Sequence, residues 1–223
     1  METKRIFNLI ILDASGSMSS IYQQALTGVN ETIQTILMAQ QTHPELQQYL
    51  TLVSFNAGED FLHRIYDAVP IENVKNITRN DYVPQGCTAL YDAMGDMVSD
   101  LQQKVSHEDA VLVTVITDGY ENSSCRWSGK QIKSIVQELR QMGWTFNYIG
   151  ANQDVDQVAD SIGIHNTLAF DSTSAGTSRM FSKLSRATSA FIERACLCYD
   201  EAPTAERKED LNFFDDTDDE QTD

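Results

Sequence analysis

Strand-like and helix-like segments alternate along this chain, and that alternation constrains the fold more than any other feature. Residues 5–12 (RIFNLIIL) and 110–117 (AVLVTVIT) are apolar runs of strand length. The second run is apolar on both faces, as a central parallel strand would be. Weaker strand patterns occupy residues 49–55, 61–69, 144–149 and 167–170. The short link through Gly58 favours a hairpin between the first two of these weaker strands.

Helical patterns separate the strands. Apolar residues recur at helical spacing in residues 20–41, 88–105, 128–142, 155–162 and 174–196. This order predicts an α/β fold of doubly wound, Rossmann-like type, with helices on both faces of a mostly parallel central sheet. The hairpin adds one antiparallel edge strand. The segment 70–87 is expected to be a loop or irregular structure.

Charge divides the chain into two parts. The sequence has 33 acidic and 16 basic residues, a formal charge of −17. Residues 200–223 contain 11 of the acids and 2 of the bases, so we expect a folded domain over 1–199 and a disordered acidic tail over 200–223. Removing such a tail should leave thermal stability nearly unchanged. Leu211, Phe213 and Phe214 are apolar exceptions in it, either a short docking motif or an inert stretch.

The charge and the apolar runs also bear on partners and location. An acidic surface repels nucleic-acid phosphate and anionic lipid, so neither nucleic acid nor a membrane is an expected partner. No run reaches the roughly 18 apolar residues of a membrane span, and no secretory signal pattern is visible. The four cysteines lack zinc-type CxxC pairs and are interpreted as reduced packing thiols. We therefore expect a cytoplasmic protein.

The motif DASGS, residues 13–17, directly follows the first strand. In an extended or looping backbone alternate residues point the same way, so Asp13, Ser15 and Ser17 can direct three oxygens at one point. Gly16 is expected to permit an otherwise costly turn. Oxygen-only ligands suit a hard cation, above all magnesium.

Two further segments fit the same point. The threonine of Gly86-Cys87-Thr88 precedes the second helix, and Asp118 of Thr117-Asp118-Gly119 ends the central strand. Loops at the carboxyl ends of the strands, near the point where strand order reverses, form the ligand site of open α/β sheets. We predict a metal site made by Asp13, Ser15, Ser17, Thr88 and Asp118.

This order of DxSxS, a glycine-preceded threonine and TDG resembles the von Willebrand factor A domain with its metal-ion-dependent adhesion site. All five metal-site positions match, and the resemblance spans residues 1–199. GANQD at 150–154 and NTLAFD at 166–171 resemble bacterial and phage single-domain members most. The fold expected from the alternation pattern is the fold of this family.

The resemblance implies a function. Family members hold Mg²⁺, which Mn²⁺ or Ca²⁺ can replace, and leave one coordination position to an Asp or Glu carboxylate of a protein partner. The expected activity is therefore non-enzymatic: an adaptor module for protein–protein interaction. An ATPase chaperone or a stress-response complex is the partner class that intracellular members suggest.

The alternative is a metal-dependent hydrolase or phosphatase-like enzyme that uses the same Asp and Ser cluster. Phosphatases of the haloacid dehalogenase type need a second aspartate two positions after the first, and this chain has Ser15 there. No phosphate-binding P-loop or GxSxG motif is present. Residues near the cluster have open roles: Glu121 as a support for the site or a partner contact, and Asn152 and Asp154 as partner surface or helix cap.

Overall fold

Six strands form one sheet in the computed structural model, which describes residues 4–58, 60–197 and 213–214. The strands are β1 (Lys4–Asp13), β2 (Leu46–Phe55), β3 (Leu62–Pro70), β4 (Ala110–Thr117), β5 (Thr145–Gly150) and β6 (Asn166–Ala169). Their order across the sheet is β3-β2-β1-β4-β5-β6. Only the β2–β3 pair is antiparallel. The predicted fold class, with its antiparallel edge strand, is confirmed.

Helices connect the strands. They are α1 (Tyr22–Thr42), α2 (Leu90–Gln102), α3 (Gly129–Gln141), α4 (Val155–Ser161) and α5 (Ser174–Leu197). A 3-10 helix over Gly16–Ile21 precedes α1, which therefore begins two residues later than expected. A second 3-10 helix, Ile71–Asn73, lies in the segment expected to be irregular. Thr88 precedes α2 instead of opening it.

Both faces of the sheet are buried, which explains why the central strands are apolar without alternation. On one face, Ile6, Ile10 and Leu12 of β1 pack in a core with α1 and α5. On the other face, Leu9 and Ile11 pack in a core with α2, α3 and α4. The sheet is thus a rigid middle layer that fixes the carboxyl ends of its strands.

The order of the strands reverses direction at β1, because β2 follows on one side and β4 on the other. Asp13 is the last residue of β1, and Asp118 comes directly after the last residue of β4. These neighbouring parallel strands therefore bring both carboxylates to one edge of the sheet, at the position where such folds bind ligands.

Two residues of the acidic tail lie in the core. Phe213 and Phe214 are buried, with 2% and 3% of their surface exposed, and they pack with the α1–α5 side of the sheet. The expectation of disorder does not hold at these two positions, because their rings are removed from water. The rest of segment 200–223 lies outside the described residues.

No helix in the described part of the chain combines the length and the hydropathy that crossing a bilayer requires. Cys87 and Cys125 are exposed free thiols. The interpretation as packing thiols is therefore wrong for these two, since both lie in surface loops beside helix starts.

Candidate metal centre

Asp13 is fully buried at the end of β1, and its two carboxylate oxygens have different partners. The Ser15 backbone N–H donates to Oδ1 at 2.6 Å, and the Thr117 hydroxyl donates to Oδ2 at 2.6 Å. The Tyr82 hydroxyl also donates to the Asp13 backbone carbonyl at 2.8 Å. The first two bonds orient the carboxylate, and the bond from Tyr82 holds the backbone of the same residue.

A chain of short contacts links the serines to the second carboxylate. Ser15 Oγ lies 3.1 Å from Ser17 Oγ, and the Ser17 hydroxyl donates to Asp118 Oδ1 at 2.5 Å. Ser15 and Asp118 are buried, whereas Ser17 is exposed. The cluster therefore has a buried floor and reaches the surface at Ser17.

The Thr88 hydroxyl belongs to the same cluster. A Cβ built on Gly119 would lie 3.9 Å from both Thr88 Oγ1 and Ser17 Oγ, so the two hydroxyls flank one residue. Asn122 positions Thr88: the Thr88 N–H donates to Asn122 Oδ1 at 3.0 Å, and the Asn122 N–H donates to the Thr88 carbonyl at 3.1 Å. All five predicted residues therefore lie around one point of the sheet edge.

The loop with Thr88 is attached to the DASGS segment through backbone hydrogen bonds. Gly16 N–H donates to the Gly86 carbonyl at 3.0 Å, and Gln85 N–H donates to the Ala14 carbonyl at 2.7 Å. Gly86 has φ = +75°, a conformation that favours glycine. The expected role of Gly16 is wrong, because its φ is not positive and a Cβ there would meet nothing closer than 3.5 Å. Conformational freedom is required at Gly86 instead.

Burial changes the acidity of both carboxyl groups. It raises the pKa of Asp13 to about 6, against the hydrogen bonds from Thr117 and Ser15, which lower it. Burial also raises the pKa of Asp118, against the hydrogen bond from Ser17. No ion pair in the described part of the chain involves either group. The protein therefore concentrates negative charge here without a basic side chain to balance it.

This arrangement is chemically suited to a hard divalent cation. The donors are carboxylate and hydroxyl oxygens only, which magnesium and manganese prefer. Two carboxylates buried without a positive partner are unfavourable alone and become favourable beside a cation. The residues present therefore fit such an ion.

Several supporting residues carry no metal-site signature in the sequence. Thr117 orients Asp13 and accepts the Gly119 N–H at 3.3 Å, and Tyr82 reaches the site from a loop 69 residues after Asp13. Thr117 lies inside the TDG motif, so its proximity was visible in the sequence. Tyr82 and the pairing of Asn122 with Thr88 had no such signal, since they depend on how loops fold together.

Glu121 and Asp92 hold the loop that follows Asp118. The Glu121 carboxylate accepts the N–H groups of Tyr91, Ser123 and Ser124 at 2.6–3.0 Å, which ties the loop to the start of α2. The Asp92 carboxylate accepts three further backbone N–H groups, from residues 125–127, at 2.8–3.0 Å. Glu121 is therefore a support for the site, the first of its two expected roles.

The rim of the site comes from the loop after β5. Asn152, with φ = +57°, donates from Nδ2 to the Asp118 carbonyl at 3.2 Å. Asp154 caps α4 by accepting the Gln157 N–H, and its own N–H donates to the hydroxyl of the exposed Tyr120. Gln85 and Gly86, in the loop that leads to Thr88, form part of the lining of a cavity of about 250 Å³. These two loops therefore contribute to the surface around the cluster.

Comparison with known proteins agrees with the fold. The family model of the von Willebrand factor type A domain matches residues 9–186. A search of curated protein sequences gives no match.

Solved structures with the same fold are distant in sequence. The PilB minor pilin from Streptococcus sanguinis is 13% identical, with a TM-score of 0.58 over 91% of this chain and 64% of the pilin. Manganese-loaded TRAP protein from Plasmodium vivax is 16% identical, with a TM-score of 0.52 over 80% of this chain and 72% of that one. Proximal thread matrix protein 1 from the mussel byssus, with a zinc-occupied MIDAS motif, is 15% identical, with a TM-score of 0.54 over 84% and 46%. The chain spans less than two thirds of the pilin's length.

Proposed function

Because this chain belongs to the von Willebrand factor type A family, we propose that it is a non-enzymatic, Mg²⁺-dependent protein-interaction module. The observation that carries the proposal is the cluster of five oxygen-bearing residues at the reversal of strand order. They are Asp13, Ser15, Ser17, Thr88 and Asp118. Among the described residues no basic side chain pairs with its two buried carboxylates, and the cluster opens to solvent at Ser17.

The five side chains would hold the ion with few negative charges. Two carboxylates balance the formal charge of a divalent cation. Five side-chain oxygens leave the ion one short of the six oxygen ligands that magnesium prefers. A bound Mg²⁺ would supply positive charge and a free coordination position for an anionic oxygen. The hydrogen bonds of Thr117 and Asn122 keep Asp13 and Thr88 in place, so little reordering is needed when an ion enters.

An acidic side chain of a protein partner is the proposed ligand. An Asp or Glu carboxylate supplies the missing oxygen ligand, whereas the repulsion by this acidic chain disfavours nucleic acid and anionic membranes. The mussel protein with a zinc-occupied MIDAS motif and the manganese-loaded Plasmodium protein support a divalent ion as the ligand of the site. Mn²⁺ or Ca²⁺ is expected to substitute for Mg²⁺.

The proposal extends to the wider setting of the chain. Residues 1–199 would form the binding domain and residues 200–223 an acidic tail. We place the protein in the cytoplasm, as a bacterial or phage-type member, with an ATPase chaperone or stress-response complex as the partner class. These statements rest on the resemblance of short motifs and on composition.

The first test measures the metal. Isothermal titration calorimetry of the full chain with Mg²⁺ or Mn²⁺ should show one site, and Asp13→Ala should abolish it. Asp154→Asn is a matched control, because Asn caps a helix as well as Asp and the change removes one charge at the same edge. Equal binding by wild type and Asp13→Ala contradicts the metal assignment.

The second test measures the open coordination position. In the Mn²⁺-loaded protein, the relaxation rate of water protons reports water bound to the ion. A short peptide with one Glu should lower that relaxation, and the same peptide with Gln should not. If both peptides act alike, no partner carboxylate reaches the ion.

The third test addresses the partner itself. A specific protein partner should be retained on the immobilised full chain in Mg²⁺ and released by a chelator. Thr88→Ala should weaken that retention. Retention that is indifferent to the metal contradicts the adhesion mechanism.

The enzymatic alternative makes a different prediction. A hydrolase needs a general base or nucleophile beside the metal. Within the described residues, the side chains that hydrogen-bond the cluster from outside are those of Ser20, Tyr82, Thr117, Asn122 and Asn152, none of which is an effective base at neutral pH. We expect no Mg²⁺-dependent hydrolysis of a phosphate ester; turnover that Asp13→Ala removes would favour the enzyme.

A further inference from the structure

Phe213 and Phe214 occupy a groove between the edge strand β6 and helix α5. Their rings contact each other edge to face, with centroids 4.9 Å apart, and Phe213 also contacts Phe191 of α5 at 6.2 Å. Both residues are almost fully buried. Because a buried Phe removes roughly 150–250 Å² from water, the pair covers an area similar to the largest apolar patch of a typical monomer.

A backbone contact adds specificity to this apolar packing. The Phe213 N–H donates to Asn166 Oδ1 at 3.2 Å. Asn166 is itself held, since its Nδ2 donates to the Phe146 carbonyl at 3.0 Å. Asn166, the first residue of β6, therefore offers a fixed acceptor to the backbone of Phe213. Apolar packing alone would not fix which residue of the C-terminal segment lies at this point.

The charges of the groove and the segment are complementary. In the sequence the Phe pair is followed directly by Asp215 and Asp216. Further along the same β6–α5 edge, the lining of a cavity of about 270 Å³ includes the apolar residues Leu168, Phe170 and Met180. It also includes two bases, Arg179 and Lys183, and one acid, Asp171, whose carboxylate lies 3.8 Å from the Arg179 guanidinium, so the lining keeps a net positive charge. Apolar anchors and neighbouring cations suit a peptide in which aromatic residues precede acids.

We propose that the β6–α5 groove is a docking site for an acidic Phe-Phe peptide, and that the C-terminal segment of this same chain occupies it as a releasable clip. Fifteen residues, 198–212, separate the clip from α5. A tether of that length keeps the clip at roughly millimolar effective concentration, so a weak intrinsic affinity is enough to keep the groove covered. Release uncovers an aromatic surface and frees the acidic tail together.

The clip is independent of the proposed metal function. Asn166 is the first residue of β6, so it lies at the amino-terminal edge of the parallel strands. Asp13 and Asp118 lie at the opposite, carboxyl-terminal edge. Failure of the metal assignment therefore leaves the clip proposal unaffected, and the reverse also holds.

Hydrogen exchange on the wild-type full chain tests the occupied state without a mutation. The amides of Phe213 and Phe214 should exchange at least tenfold more slowly than in a free peptide of residues 205–223. Exchange at the free-peptide rate overturns the proposal. Protection that appears only in a concentration-dependent dimer overturns it too, in favour of a second copy as occupant.

A labelled peptide tests whether the groove is a releasable site. Fluorescein-labelled peptide 205–223 should bind saturably to the full-chain double variant F213A/F214A, after circular dichroism has verified that this variant is folded. The matched control peptide, with Ala at both Phe positions and the same charges, should bind at least tenfold more weakly. Wild-type chain should bind the Phe-Phe peptide roughly tenfold more weakly than the variant, because its own clip competes. Equal binding of the two peptides overturns the proposal.

Discussion

Asp13→Asn should stabilise the protein in the absence of metal, and Mg²⁺ should then stabilise wild type but not the variant. The Asp13 carboxylate is buried, and its pKa rises from 3.8 to about 6. At 1.36 kcal/mol per pKa unit, the ionised group costs the metal-free fold about 3 kcal/mol at neutral pH relative to a neutral one. Asn is neutral and nearly isosteric, so it avoids most of that cost.

The hydrogen bonds around Asp13 are compatible with this substitution. An Asn Oδ1 can still accept the Ser15 N–H, and its Nδ2 can donate to the Thr117 hydroxyl oxygen. Some charge-assisted strength is lost, so we expect metal-free Asp13→Asn to be more stable by about 1–3 kcal/mol. Mg²⁺ at a hundred times its dissociation constant should stabilise wild type by about 2.7 kcal/mol and leave the variant unchanged.

Urea denaturation with and without Mg²⁺, followed by the fluorescence of the buried Trp144, measures both effects. Asp92→Asn is the contrasting control. Burial opposes its ionisation, but three backbone N–H groups and Arg126 outweigh burial and lower the pKa of Asp92. This control should lose stability with or without metal. The reasoning fails if metal-free Asp13→Asn is less stable than wild type, or if Mg²⁺ stabilises both equally.

Three further predictions concern other features. In metal-free wild type, the raised pKa of Asp13 means that the folded state binds more protons between about pH 4 and pH 6. The stabilisation that this group contributes is therefore full below pH 4 and is lost as pH rises through 6. Urea denaturation at several pH values should show this fall in the free energy of unfolding for wild type and not for Asp13→Asn. Gly28→Ala should lower the free energy of unfolding by about 2 kcal/mol or more, because the new Cβ would lie 2.0 Å from Phe181 Cγ. Thermal denaturation measures this loss, and an unchanged melting temperature contradicts the close packing. Removing residues 200–223 should lower the free energy of unfolding by about 1–2 kcal/mol, because the burial of two phenyl side chains outweighs the entropy lost when their backbone is ordered. An unchanged melting temperature would support an inert tail.

Local pattern was sufficient to predict the elements that place the proposed site. The buried strand before Asp13 and the one before Asp118 were visible as apolar runs, and both end within one residue of the predicted position. Parallel strands put their carboxyl ends at one edge, so two motifs about a hundred residues apart could be expected to meet. The starts of α1 and α2 were less accurate, because loop contacts decide where each first helical turn begins.

Glycine shows where such reasoning fails. Gly16 sits in the conspicuous motif, yet Gly86 has the positive φ, because that loop must turn back to bond with Ala14 and Gly16. A backbone conformation of this kind depends on the partner segment, which local sequence does not identify.

The sequence by itself determined the α/β class, the strand and helix limits to within a few residues, and the five oxygen-bearing residues proposed to bind metal, because these follow from local periodicity and motif spacing. Only the tertiary structure decided the supporting contacts of Tyr82 and Asn122 and the burial of Phe213 and Phe214. It also showed that no basic side chain in the described ranges pairs with the two buried carboxylates. Each of these depends on segments that are distant in sequence and meet only when the chain folds. Phe213 shows this most clearly, since its hydrogen-bond partner Asn166 lies 47 residues earlier in the chain.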